Sequence, residues 1–241
     1  MGISEAIAAR YAEAGARLLL LHIADKQLET VAETLCAAYD VDVATYHVDL
    51  AHREEITRFW EQLDITPDIL VNNAGAYEGR VFQDTTETYR DNMIQVNFGA
   101  VVQMCQEFIR RRKRRGTIIN VSSIEAKAAF KVDMAMYAAS KAAVLTLTRS
   151  LASEYSRHGF KINVIVPGGV RTPGTEQVAR HELSHLHLGI IATAVKFAQR
   201  LPLGHYADPD DVARVALMLA SPMCDYMSGS EVVVDGGFLV A

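Results

Sequence analysis

Short apolar runs recur along the chain at 18–21, 43–48, 68–71, 117–121, 161–166 and 231–234, each bounded by a polar residue or a turn signal. Runs this short and this rich in leucine, isoleucine and valine predict strands buried on both faces. Between them apolar positions fall at helical spacing, which predicts helices near 3–14, 26–38, 52–63, 86–113, 135–157 and 208–220. Strand and helix therefore alternate. That order predicts an α/β fold, a doubly wound parallel sheet with helices on both faces and right-handed crossovers. No internal repeat, low-complexity tract or linker interrupts the pattern, so residues 1–241 read as one domain.

Sheets of this kind bind ligands beyond the carboxyl ends of their strands, and chemically capable residues collect there. Asp49 and Leu50 end the second run. Asn72, Asn73, Ala74 and Gly75 end the third, where a glycine lets a ligand approach the backbone. Ser122 and Ser123 end the fourth, and the segment from Pro167 through Gly168, Val170 and Thr172 to Pro173 ends the fifth. Tyr137 and Lys141 stand four residues apart in a predicted helix, which puts a phenol and an ammonium on one face. A phenol titrates near pH ~10, and a fixed positive charge beside it favours the phenolate, which makes tyrosine a usable acid/base.

Composition narrows the classes. Half the residues are hydrophobic, 22% are charged and the net charge is −5, a balance that points to neither nucleic acid nor an anionic membrane surface as partner. No apolar run approaches the ~20 residues that span a bilayer, and no signal peptide is visible. Cys36, Cys105 and Cys224 are odd in number and widely spaced, which predicts buried free thiols in a reducing, cytoplasmic setting.

Taken together, the stretch from Tyr137 to Lys141, the Asn-Asn-Ala-Gly turn at 72–75, Asn97, the serine pair and Asp235-Gly236-Gly237 make the chain resemble the short-chain dehydrogenase/reductases. The likeness is to the branch of 3-oxoacyl carrier-protein reductases and polyol dehydrogenases, and it runs from Gly2 to the end. It implies a Rossmann-type fold, NAD or NADP as cofactor, and hydride transfer between that nucleotide and a secondary alcohol/carbonyl pair. The substrate would be a small molecule or a carrier-bound acyl group. By resemblance, Tyr137 is the general acid/base, Lys141 lowers its pKa and holds the nicotinamide ribose, and Ser123 binds the substrate oxygen. Asn97 supports a relay water, and Asp49 with Leu50 meets the adenine. Asn73, Ala74 and Gly75 meet the adenosine side, while Pro167, Gly168, Val170 and Thr172 lie by the carboxamide. A homodimer or homotetramer packed through helices 86–113 and 135–157 is implied as well.

The chain departs from the family pattern in three places. Ser123 to Tyr137 spans fourteen positions where the family has thirteen, read as one residue inserted in 124–134, with Ser122 as the alternative serine. The glycine-rich turn survives only as Gly2, Ile3 and Ser4. The strand and first glycine before it are absent, and the missing piece is expected upstream of Met1. A chain without that turn could instead be a catalytically silent homologue serving as a binding or scaffold subunit. Finally, His22 stands where the family's acid selects NAD, so the sequence leaves NAD and NADP open.

Two patterns invite other readings. His181-Glu-Leu-Ser-His185, with His187 after it, matches a zinc-protease motif, yet it falls in the family's variable substrate lid, about 174–204, and no further ligand follows, so no metal is expected. Residues 110–115 are six basic side chains in a row. They close a predicted helix, where cations meet the carbonyl end of the dipole, and read as a solvated helix end.

Overall fold

The structure is a computed structural model that describes residues 2–172, 197 and 199–241. Its strands are β1 (Leu18–His22), β2 (Val43–His47), β3 (Ile69–Asn72), β4 (Gly116–Val121), β5 (Phe160–Pro167) and β6 (Glu231–Val234). They alternate with α1 (Ile3–Glu13), α2 (Asp25–Tyr39), α3 (Arg53–Glu61), α4 (Glu87–Ile94), α5 (Ala100–Arg112), α6 (Ala135–Tyr155) and α7 (Pro209–Ala220). Every ladder among them is parallel, as the uninterrupted apolar runs predict.

Two apolar layers sandwich the strands. Trp60, Phe59, Met104, Phe108, Val144 and Leu145 from α3, α5 and α6 pack against one face. Ile7, Tyr11, Val212, Ala216 and Leu219 from α1 and α7 pack against the other. Beneath the first layer a buried polar chain crosses the sheet. Asn72 Nδ2 donates to Asn120 Oδ1 at 2.9 Å, and Asn120 Nδ2 donates to Thr148 Oγ1 at 2.9 Å.

The ladders form two sheets, β1–β2 and β3–β4–β5–β6. The Leu18 N–H reaches Asp42 O and the Val48 N–H reaches His22 O, so residues 18, 20 and 22 of β1 face β2. By the alternation of a strand, the amides of Leu19 and Leu21 face away. Thr117 N donates to Asp68 O, which in the same way turns the amides of Ile69 and Val71 away from β4. Yet both open edges serve the same layers. Leu19, Leu21 and Leu70 pack into the first apolar layer, and Leu18, Leu20, Ile69 and Val71 into the second. Strands β1 and β3 thus share a core without sharing a ladder.

Two expectations need correction. Residues 86–113 are not one helix: a π-helical turn, Gln95–Gly99, separates α4 from α5. The apolar periodicity continues on either side of it and conceals the wider turn, which points Asn97 fully inward. Of the cysteines, Cys105 and Cys224 are buried free thiols, but Cys36 is exposed. It lies off the buried face of α2, which is made by Leu28, Ala32 and Leu35. The basic run closes α5, where Arg112 meets Asp68 at 2.6 Å and Arg110 meets Glu107 at 2.7 Å. No described helix is long and apolar enough to cross a membrane.

Candidate active site

Helix α6 brings Tyr137 and Lys141 to the carboxyl end of β4. Lys141 is 4% exposed, and its Nζ donates to Val121 O at 3.0 Å. Ser122 Oγ donates to the Lys141 carbonyl at 2.8 Å, so Ser122 fastens the helix to the strand. Ser123, one residue on, faces the site instead. Its Oγ accepts from the Glu125 N–H at 3.2 Å, and its hydroxyl is near enough to the Tyr137 phenol to draw the phenol's pKa down. Of the two candidate serines, the geometry brings Ser123 to the tyrosine.

Burial sets the protonation states. It pushes Tyr137 up to about 12, with the Ser123 hydrogen bond drawing it part of the way back and the Glu125 charge adding to the rise. Burial likewise lowers Lys141 to about 8. The resemblance implies a lysine that depresses the phenol. Here Lys141 Nζ stands 5.9 Å from the Tyr137 ring centroid, and desolvation outweighs its attraction. At neutral pH the phenol holds its proton and is a donor.

Asn97 fastens the loop after β3. Its Oδ1 accepts from Ala76 N at 2.7 Å, and its Nδ2 donates to Ala76 O at 3.0 Å and to Ser140 Oγ at 3.2 Å. Gly75 lies in the same corner. A Cβ there would come within 3.0 Å of Asn97 Oδ1 and 3.3 Å of Lys141 Nζ, so the backbone approaches the lysine only because it is glycine. The amide of Asn97 is therefore a clamp on residues 75–76.

The residues assigned to the nucleotide fall into two groups. At the ends of β3 and β5, Asn73 Nδ2 donates to Ser4 Oγ at 2.5 Å, next to Gly2 and Ile3, and Gly2 lies against Thr172. Ala74 continues that loop. Pro167 closes β5, Gly168 N donates to Val234 O at 2.9 Å, and Val170 forms a parallel bridge with Ala207. The second group sits on the β1–β2 unit. His22 Nδ1 accepts from Ala24 N at 2.8 Å, and Asp49 Oδ1 accepts from Ala51 N at 2.8 Å. The Leu50 carbonyl accepts from Gln95 Nε2 at 3.3 Å. His181, His185 and His187, and the lid apart from 197 and 199–204, lie outside the described residues.

These groups fit a nucleotide. An ammonium carries three N–H donors, and Lys141 has one acceptor among the described residues, Val121 O. Donors remain for ribose hydroxyls, at the corner that Gly75 keeps open. Two residues of the site escaped the sequence. Ser140 sits inside the tyrosine–lysine spacing with nothing to mark it. Glu125 does carry a signal, an acid placed between two apolar residues directly after the serine pair.

A family model described as enoyl-(acyl carrier protein) reductase matches residues 1–239. Oxidoreductase UcpA of Salmonella typhimurium is 35% identical over 246 residues, which span 98% of this chain and 90% of that one. A structure described as an NAD(P)-dependent gluconate 5-dehydrogenase from Beutenbergia cavernae, with bound NADP, has a TM-score of 0.89 at 31% identity, covering 100% of this chain and 93% of that one. L-sorbose reductase from Gluconobacter frateurii, complexed with NADPH and L-sorbose, has a TM-score of 0.90 at 27% identity, again covering 100% of this chain and 93% of the other. Matched along nearly its whole length in sequence and fold, the chain belongs to the short-chain dehydrogenase/reductase family and is an NAD(P)-dependent oxidoreductase.

Proposed function

We propose that the chain interconverts a secondary alcohol and its ketone, with Tyr137 as the proton donor and acceptor. One observation carries this reading: a largely desolvated phenol, with the Ser123 hydroxyl near it, stands one helical turn from a buried ammonium that has hydrogen-bond capacity to spare. Ser123 and Tyr137 together hold the substrate oxygen. In reduction the protonated phenol donates to that oxygen as negative charge develops on it, and in oxidation it takes the proton back. Bound NAD or NADP supplies or accepts the hydride. Lys141 holds the ribose, with Asn73, Ala74, Gly75, Val170 and Thr172 beside the nucleotide. Asn97 acts through the loop it clamps, fixing Gly75 beside Lys141.

Substitution Tyr137→Phe tests the reading, because it removes the proton and leaves the ring. We expect kcat for any accepted ketone to fall by roughly 10²–10⁴-fold with the fold intact. Undiminished turnover would remove Tyr137 from the mechanism. Total loss of nucleotide-dependent activity in the unmodified chain would instead favour a binding or scaffold role.

The same reading includes a homodimer or homotetramer. The α5–α6 face supports it: Val102, Ile109, Leu147, Leu151 and Tyr155 line a half-exposed apolar groove there, the kind of surface that a second copy covers.

A further inference from the structure

One acid in the site lacks a partner. Glu125 is 5% exposed, and neither carboxylate oxygen has a hydrogen bond of good geometry among the described residues. The amides of Phe130 and Lys131 are near enough only to soften its desolvation. Buried polar groups are nearly always paired, so an orphaned carboxylate needs a reason. The residue is held firmly: its own N–H is fixed to Ser123 Oγ, in the 3-10 turn Ile124–Ala126.

A third unpaired oxygen lies in the same loop. Asp133 Oδ1 is buried without a partner, and the residue adopts a left-handed φ of 69°. The Asp133 carbonyl accepts from Arg80 N at 2.7 Å, and a Cβ on Gly79 would fall 2.8 Å from its carboxylate. The loop after β3 therefore passes directly against it. The Lys131 ammonium stands 5.3 Å from the Tyr77 ring centroid, and the Tyr77 ring meets Tyr137 edge-on at 5.0 Å. Loops 73–81 and 124–134 thus meet beside the phenol and bring three buried, unpaired carboxylate oxygens with them. Strained backbone and unpaired polar atoms that coincide at one place mark a ligand-facing position.

We propose that Glu125, with Asp133, accepts hydrogen bonds from hydroxyl groups flanking the reacting carbon, so that the substrate is a polyhydroxylated ketone or alcohol of sugar type. This rests on the Tyr137 oxidoreductase reading. An acyl chain offers only CH₂ groups and would seal both carboxylates away unpaired, whereas vicinal hydroxyls supply the missing donors. An anionic substrate would meet like charge at close range. A site built to bind hydroxyls rejects the analogue that lacks them. The raised protonation range of Glu125 agrees, since burial outweighs the nearby Phe130 and Lys131 amides and pushes it up to about 7.

The test compares the full chain with Glu125→Ala and Glu125→Gln on D-fructose, L-sorbose, 2-hexanone and acetoacetyl-CoA, following nucleotide absorbance. The unmodified chain should prefer the ketoses. Glu125→Ala should lower the ketose-to-hexanone ratio of kcat/KM by about 10–100-fold, and Glu125→Gln, which keeps one acceptor, should recover part of it. Neither variant should lower the melting temperature, because the orphaned carboxylate is an expense to the empty protein. A preference for acetoacetyl-CoA that survives both substitutions would overturn the proposal. So would a fall in melting temperature with parallel losses on every substrate, since that is the behaviour of a structural residue. If no ketone is turned over, the oxidoreductase reading fails on its own. Calorimetric titration of D-fructose into the nucleotide-loaded Tyr137→Phe variant, with and without Glu125→Ala, then decides this proposal. Binding weakened tenfold or more upholds it, and unchanged or absent binding overturns it.

Discussion

The stability of the protein should depend on pH through Glu125, and Glu125→Gln isolates that dependence. In the unfolded chain the carboxyl releases its proton near 4.5, while in the folded protein desolvation holds the proton until about 7. Between those values the unfolded state has already lost a proton that the folded state keeps. Folding free energy must therefore fall as pH rises through the window, and stay lower above it. A difference of that size converts to roughly 3 kcal/mol at 1.36 kcal/mol per pH unit. Solvent beyond the side chain screens part of the penalty, so about 2 kcal/mol is the working expectation. Glutamine keeps the shape without the charge. Urea denaturation of both proteins at pH 4.5, 5.5, 6.5 and 7.5 should find them equal at the acid end, with the variant more stable by about 2 kcal/mol at the other. A constant offset across the series, or a variant less stable at pH 7.5, would refute the assignment of an orphaned, desolvated carboxylate.

Asn97→Ala removes a fully buried side chain and leaves the half-buried Ala76 N–H and C=O without their partner. It should lose about 2–4 kcal/mol of stability by denaturant melt, and a loss under 1 kcal/mol would show that the clamp does not hold the loop. Amide hydrogen exchange should separate alternate residues of the open edges, with Leu19, Leu21, Ile69 and Val71 exchanging at least tenfold faster than Leu20 and Leu70. Equal protection would mean that the edges are paired in solution. Leu147→Glu and Leu151→Arg together should shift the assembly toward the monomer mass in light scattering, and a monomer mass before any substitution would reject the oligomer.

Most of the scaffold was legible because burial on both faces writes itself as short aliphatic runs. Residues 18–21 and 231–234, for instance, became β1 and β6 with at most one residue of difference. The π-helical turn was not, because periodicity averages over a turn and one extra residue leaves Ile94, Phe98 and Val101 still looking helical. Spacing alone put Tyr137 and Lys141 on one helix face, and only the other motifs around them made the pair a candidate site. Their protonation was not legible, since the sequence shows that a charge is one helical turn away but not how much water has been removed. Glu125 and Asp133 were hidden for a related reason. An acid in a loop reads as solvated until the fold shows what closes over it.

Side chains of the π-helical turn also link two halves of the proposed site that share no ladder. The residues proposed to handle the substrate's proton belong to the larger unit: Ser123 follows β4, and Tyr137 and Lys141 lie on α6. His22 and Asp49, expected at the adenosine end of the nucleotide, belong to β1–β2, which has no ladder in common with it. Packing into shared apolar layers fixes how far apart the two units stand but resists sliding only weakly, because dispersion contacts are not directional. Directional bonds come from α5, where Gln103 Nε2 donates to Arg53 O and Thr57 Oγ1, and from Gln95–Gly99. Asn97 grips Ala76 and Ser140 on the catalytic side, while Gln95 Nε2 donates to Leu50 O and Gln95 Oε1 accepts from Arg53 Nε at 3.1 Å on the other. Two side chains two residues apart, on nearly opposite sides of the helix, thus reach opposite halves of the proposed site. On the proposed reading, these bonds help hold the nucleotide's two ends in register.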